Sequence, residues 1–261
     1  MRKNYETKQE GLPRGIYILP NIFTSLNIFS GFYAIISSIN GNFPAAAIAI
    51  LIAVLFDALD GKIARATNTT SRFGVEYDSL ADVISFGLAP GLMMFLWVLG
   101  PLGRIGWLAS FLFMACGALR LARFNTQAVS VTSDHFVGLP IPAAAGMIAT
   151  TVLLCDRVGV GSAANKILML IELYALSFLM VSSIKYNSFK KPELFKKMNF
   201  NVLVAALLIL IFIAAQPAVA LFLLSLTYVV SGPINFLLRY KKLTRKKAEA
   251  RKKDEHRPTP V

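Results

Sequence analysis

Four aspartates crowd one short window of the sequence: Asp57 with Asp60, and Asp78 with Asp82. The spacings are i, i+3 and i, i+4, and either one puts two carboxylates on the same face of a helix. Both pairs border long apolar runs. A carboxylate at the edge of a membrane helix is costly, about 2.5–3.5 kcal/mol at the helix centre, and by default marks a site. The connection between the two runs, Arg65 to Phe73, is short enough to make them antiparallel neighbours, so the four carboxylates converge in one pocket. Clustered carboxylates repel one another and cannot all ionise without cations. Ligation by oxygen alone, with no His or Cys, suits Mg2+ or Mn2+. Four carboxylates can hold a pair of such ions, an arrangement used for displacement at phosphorus. Pairing with Lys62, Arg65 and Arg72 would account for any single aspartate, but poorly for all four at these spacings. Gly61, Ala64 and Gly74 lie between the pairs and leave room for a flat base and a diphosphate. The planar fork of Arg65 suits a phosphate oxygen, or reaches the headgroups.

The elements that must carry these residues are apolar. Of the 261 residues 56% are hydrophobic and 16% charged, with a mean hydropathy of +0.60. Soluble domains run near 45–50% apolar and about 25% charged, so a soluble globular enzyme is excluded. Cys116 and Cys155 have no paired spacing, which excludes a disulfide framework or a cysteine zinc site. A bilayer core about 30 Å thick needs roughly 20 apolar residues per helix. Eight stretches qualify as candidate spans: 17–39, 44–63, 78–99, 104–123, 139–156, 166–185, 201–216 and 218–238. The last two are short and split by Gln216-Pro217, as in a tight hairpin or a re-entrant element. The first run carries Asn21, Thr24 and Asn27 and no cleavage pattern, so it is read as a span and not as a signal peptide. With the N-terminus inside, 24 of the 27 Lys and Arg fall on the inner side and only Arg104, Arg157 and Lys166 remain outside. Both termini are therefore expected in the cytoplasm, with the aspartates at the cytoplasmic face. The organisation expected is a cytoplasmic segment 1–16, a transmembrane domain 17–238 and a basic cytoplasmic tail 239–261. The tail holds ten Lys and Arg against three acids, within a net charge of +13, and points to anionic lipid and not to nucleic acid.

Read together, Asp57-x2-Asp60-Gly61-x2-Ala64-Arg65-x8-Gly74-x3-Asp78-x3-Asp82 resembles the signature of the CDP-alcohol phosphatidyltransferase family at every motif position. The resemblance implies an all-α, polytopic integral membrane protein, with a six-helix catalytic core and here about two extra C-terminal transmembrane helices. It implies two divalent cations, Mg2+ or Mn2+, and transfer of a phosphatidyl group from a CDP-linked lipid to an alcohol with release of CMP. Carried over by position, Asp57, Asp60 and Asp78 are metal ligands, and Asp82 is both a ligand and the general base. Gly61, Ala64, Arg65 and Gly74 are the nucleotide and diphosphate contacts. Homodimers are common in the family.

Further stretches resemble its phosphatidylserine synthase branch: Leu19-Pro20-Asn21-Ile22 with Thr24 and Asn27, then Arg120-Leu-Ala-Arg123-Phe-Asn125, then Phe136 to Gly146. That branch implies CDP-diacylglycerol as donor and L-serine as acceptor. Arg120, Arg123 and Asn125 sit level with the aspartates, where a cationic fork holds a serine carboxylate or a lipid phosphate, or else simply anchors the helix. Asn21, Thr24 and Asn27 hydrogen-bond either to the nucleotide or to neighbouring helices. Gly138, Pro140 and Pro142 shape the start of the fifth span, His135 reads as a loop residue, and Glu172 within the sixth span has no assigned role. Transfer to glycerol 3-phosphate or an inositol phosphate would want a denser cationic pocket. A cation or proton transporter would carry its acids near the midplane, not at one face. The absence of targeting signals, together with the inner charge bias, suits a bacterial inner membrane.

Overall fold

The computed structural model describes residues 18–67, 71–127, 135–159, 166–187 and 213–255. Among the described residues the main helices run in the order α1 Ile18–Ile39, α2 Phe43–Ala66, α3 Arg72–Leu102, α4 Arg104–Gln127, α5 Ile141–Val158, α6 Lys166–Val181 and α7 Pro217–Glu255. Six of them contain stretches long and apolar enough to cross a membrane; α6, with 16 residues, is shorter. The protein is an integral membrane protein of helical architecture, as expected. The candidate span 201–216 falls mostly outside the described residues.

Two short strands, β1 His135–Val137 and β2 Lys185–Asn187, pair antiparallel with Phe136 opposite Tyr186. His135, read from sequence as a loop residue, lies in β1. The chain turns into α5 at Gly138, whose φ of +83° favours glycine. Its N–H donates to Ile184 O at 2.9 Å and the N–H of Leu139 to Leu179 O at 3.0 Å. This ribbon fixes Tyr186 inside the protein.

Local chemistry sets the helix boundaries. Gly41 turns the chain between α1 and α2, and Asn42 caps α2 by accepting from the N–H of Ala45 at 3.2 Å. Ala46, Ala47, Ala49 and Ala53 are buried on α2, so small side chains permit the close α1–α2 hairpin. The third span was expected to begin at Asp78, but α3 begins at Arg72. Ser71 caps it, its Oγ accepting from the N–H of Gly74 at 3.0 Å, so a polar first turn extends the helix beyond the apolar run. Two π-helical segments, Val83–Leu88 and Phe95–Leu99, interrupt α3. The first begins directly after Asp82. It carries Ser85, which presses against Gly31 of α1 so closely that a Cβ on residue 31 would overlap it.

A single core joins the helices through Ile50, Phe86, Met93, Phe113, Ile148 and Leu173, all fully buried. Large apolar side chains such as Phe29, Phe32, Trp107, Phe111 and Phe178 are exposed, as helices facing lipid require. The basic stretch 239–255, expected as a solvated tail, continues α7 as helix.

Candidate active site

The short α2–α3 connection brings the two aspartate pairs together. Carboxylate oxygens of Asp57, Asp60 and Asp78 lie within 4.8 Å of one another. Asp82 is likewise buried, 7% exposed, and its side chain neighbours that of Asp57. All four were named from sequence and all four converge.

α1 supplies neutral donors to this cluster. Thr24 Oγ1 donates to Asp60 Oδ2 at 3.0 Å, both residues being buried. Asn27 Nδ2 donates to Asp82 Oδ1 at a longer 3.5 Å, while Ser85 Oγ donates to the Asn27 carbonyl at 3.0 Å and holds α1 in register with α3. Of the two readings of Thr24 and Asn27, the structure displays contacts with the carboxylates of neighbouring helices. Asn21 instead faces a cavity.

That cavity, of about 220 Å³, opens on the Asp60 and Asp78 side. Its wall includes Asn21, Thr24, Gly61, Ala64, Arg65 and Gly74, so every residue carried over as a nucleotide or diphosphate contact borders one space. A Cβ on Gly74 would lie 3.2 Å from Ser71 Oγ and 3.6 Å from Asn21 Oδ1, so the missing side chain keeps the gap between α1 and α3 open. Arg65 lies over Gly61 and interacts by charge with Asp60. Sequence reasoning missed Ser71 and Phe124 in the wall. A serine just ahead of a helix is an N-cap signal and identifies Ser71 in retrospect; Phe124 has no comparable local signal.

Three residues grouped in sequence part company in space. Arg120, only 9% exposed, interacts by charge with Asp82, and its Nε has no hydrogen-bond partner. Arg123 is exposed and its Nη1 reaches the Val181 carbonyl at 3.5 Å, at the end of α6. Asn125 donates to Ser79 Oγ at 2.9 Å and ties α4 to α3. Of this group only Arg120 faces the aspartates. Cavity and Arg120 thus address different members of the cluster, Asp60 and Asp78 on one hand and Asp82 on the other.

The donor set fits divalent cations. Asp78 Oδ1 is buried with no hydrogen-bond partner, a costly state for a carboxylate oxygen unless a cation takes the place of the missing donor. Hard oxygen ligands in this number match Mg2+ or Mn2+ chemistry. Glu172, for which sequence gave no role, accepts from Thr151 Oγ1 at 2.8 Å between α5 and α6, as an interhelical contact.

Comparison with known proteins finds relatives over most of the chain. The CDP-diacylglycerol–serine O-phosphatidyltransferase of Helicobacter pylori is 39% identical over 222 residues, covering 85% of this chain and 92% of the relative. The Methanocaldococcus jannaschii protein of the same name is 34% identical over 224 residues, covering 86% and 96%. The archaetidylserine synthase of Methanothermobacter thermautotrophicus is 41% identical over 170 residues, covering 64% and 69%. Residues 17–179, which carry the aspartates, their α1 donors, the cavity wall and Arg120, match the CDP-alcohol phosphatidyltransferase family, and the chain belongs to it.

Proposed function

We propose that this protein transfers the phosphatidyl group of CDP-diacylglycerol to the hydroxyl of L-serine, giving phosphatidylserine and CMP. The observation that carries the reading is the convergence of Asp57, Asp60 and Asp78 within 4.8 Å beside a cavity of about 220 Å³. The names of relatives covered over nearly their whole length support serine as acceptor.

Asp57, Asp60, Asp78 and Asp82 would hold two divalent cations, Mg2+ or Mn2+. Such a pair supplies charge neutralisation at the diphosphate and at departing CMP. The cavity takes the CDP head: Gly61, Ala64 and Gly74 leave space for base and ribose, and Arg65 reaches a phosphate oxygen. The acyl chains stay in the bilayer. Arg120 receives the carboxylate of serine near Asp82. Asp82, oriented by Asn27, takes the proton of the serine hydroxyl as that oxygen bonds to the phosphatidyl phosphorus. The bond from phosphorus to the CMP oxygen breaks, and CMP leaves with that electron pair. Nucleotide and acceptor contacting different members of the cluster suits direct displacement without a covalent enzyme intermediate.

Residues 17–238 form the catalytic membrane domain in this reading, flanked by segments 1–16 and 239–261. Both termini and the site face the cytoplasm of a bacterial inner membrane. The basic tail meets anionic lipid, and the protein is a homodimer.

The test is CMP release by purified protein with CDP-diacylglycerol, Mn2+ or Mg2+, and serine, glycerol 3-phosphate or an inositol phosphate added singly. Release with serine alone, abolished by EDTA and restored by the metal, is expected. Release with another alcohol overturns the acceptor, and release that survives EDTA overturns the metal role.

A further inference from the structure

Among the described residues, two buried side-chain oxygens have no hydrogen-bond partner: Asp78 Oδ1 and Asn27 Oδ1. The first belongs to the aspartate cluster and the second to a residue that reaches into it. Asn27 spends its Nδ2 on Asp82 Oδ1, at a long 3.5 Å, and its amide oxygen is left over. Thr24, one turn earlier on the same face of α1, gives the cluster a donor, the hydroxyl that meets Asp60 Oδ2 at 3.0 Å. Orienting a carboxylate needs only such a donor. An amide brings an acceptor as well, and a buried acceptor without a partner is costly.

Asn27 cannot withdraw to find one. It is fully buried, so bulk water does not serve its oxygen. Ser85 Oγ donates to the Asn27 carbonyl at 3.0 Å, and Ser85 is itself pressed against Gly31, one turn further along α1. These contacts hold α1 against the π-helical segment that begins directly after Asp82. Turning the amide end for end would set its oxygen against Asp82 Oδ1, two acceptors face to face. The neighbouring aspartates, once ionised, only accept. A positive charge is the partner that satisfies Asn27 Oδ1, Asp78 Oδ1 and the carboxylates together.

We infer that Asn27 is a neutral oxygen ligand of the metal site, its Oδ1 taking the divalent cation held beside Asp82 while its Nδ2 steadies that carboxylate. The inference rests on the proposed reading of the four aspartates as ligands of Mg2+ or Mn2+. Amide carbonyls are hard oxygen donors of the kind those ions accept. Four carboxylates balance the charge of two divalent cations, and an amide adds coordination without upsetting that balance. A metal centre built on α2 and α3 thereby gains a ligand from α1.

The experiment counts free Mn2+ by electron paramagnetic resonance over purified full-length protein in detergent, without substrate. Asn27→Leu, close in size, removes both donor and oxygen and should weaken Mn2+ binding about 10- to 100-fold, the scale of losing a group that supports a metal site. Asn27→Asp loses the donor but keeps an oxygen, and should bind Mn2+ at least as tightly as wild type. A residue that only positions Asp82 would lose affinity in both variants. Asn27→Cys offers a soft thiolate and should gain an ultraviolet thiolate-to-Cd2+ band that wild type, with Cys116 and Cys155, does not show. Tight Mn2+ binding by wild type combined with unchanged affinity in Asn27→Leu, or with equal losses in the Leu and Asp variants, overturns the inference alone. If Asn27→Leu elutes as aggregate, the other two variants decide: weakened Mn2+ binding in Asn27→Asp, or no Cd2+ band in Asn27→Cys, overturns it. Absence of Mn2+ binding by wild type overturns the metal reading itself.

Discussion

Replacing Thr24 with valine tests whether α1 tunes the carboxylate cluster. The substitution keeps volume and branching and deletes one donor, the hydroxyl that reaches Asp60 Oδ2 at 3.0 Å. Thr24 is 3% exposed and Asp60 5%, so water does not readily replace the lost donor. A hydrogen bond to a charged group contributes about 1.5–3 kcal/mol, and more is lost when a buried partner stays unpaired. At 1.4 kcal/mol per tenfold, that becomes roughly a 10- to 100-fold loss of metal affinity, the range found when groups orienting metal ligands are removed. An opposing effect exists, because a carboxylate relieved of its donor is a stronger base toward a cation. Orientation is expected to win, since Asp60 must meet Asp57 and Asp78 within 4.8 Å. The assay is the Mn2+ dependence of CMP release, paired with direct counting of free Mn2+ by electron paramagnetic resonance. Half-saturating Mn2+ should rise 10- to 100-fold, turnover at saturating Mn2+ should recover, and Thr24→Ser should restore affinity. The hydroxyl also lies 3.2 Å from Pro20 O, and its one proton serves one acceptor at a time. Half-saturation unchanged within twofold would mean that it serves Pro20, refuting the reasoning.

Other perturbations give sharper contrasts. Asp82→Asn should abolish CMP release while the protein elutes and melts like wild type; a near-normal rate would remove Asp82 as the base. Gly31→Ala should lower the melting temperature in detergent, because the added Cβ overlaps Ser85 and over-packing costs about 1–3 kcal/mol; an unchanged melting temperature would deny that the α1–α3 contact is tight. Arg120→Ala should cut kcat/KM for serine by about a hundredfold, the scale of truncating a buried charge partner. Arg123→Ala, at an exposed side chain bound only to the end of α6, should change it less than threefold; equal effects would contradict the separation of the two arginines.

What the sequence made legible was chemistry that repeats along a helix. Asp57, Asp60, Asp78 and Asp82 were readable because helical spacing and a short connection together force convergence. Gly61, Ala64, Arg65 and Gly74 followed because the motif places them on the same two elements. The π-helical turns of α3 were not readable, since an inserted residue changes the hydrogen-bond pattern and leaves apolar composition intact. The polar first turn of α3 was missed for a related reason: hydropathy marks what lies in lipid, while the helix is set by the Ser71 cap. Arg120, Arg123 and Asn125 were grouped by proximity along the chain, yet they reach Asp82, Val181 and Ser79: Asn125 lies roughly half a turn around α4 from both arginines, and the two arginines, about 60° apart in phase, sit one turn apart along the axis, one buried and one exposed. Tyr186 and Tyr228, whose ring centroids lie 5.7 Å apart, carried no local signal at all, because their meeting depends on a ribbon closing two distant parts of the chain.

The separation of Tyr228 from the aspartates also has a consequence in time. Translation at roughly 5–20 residues per second puts about eight to thirty seconds between the appearance of Asp78 and that of Tyr228. During that interval the nascent chain already holds the aspartates of α2 and α3 and their α1 donors, without the last helix that packs on Tyr186 through Tyr228. The carboxylate cluster is therefore complete in sequence before the Tyr186 hydroxyl can reach the Val229 carbonyl. Maturation of the fold is thus an order of events, in which the latest part of the chain to be made docks on a core whose chemistry the earlier parts already carry.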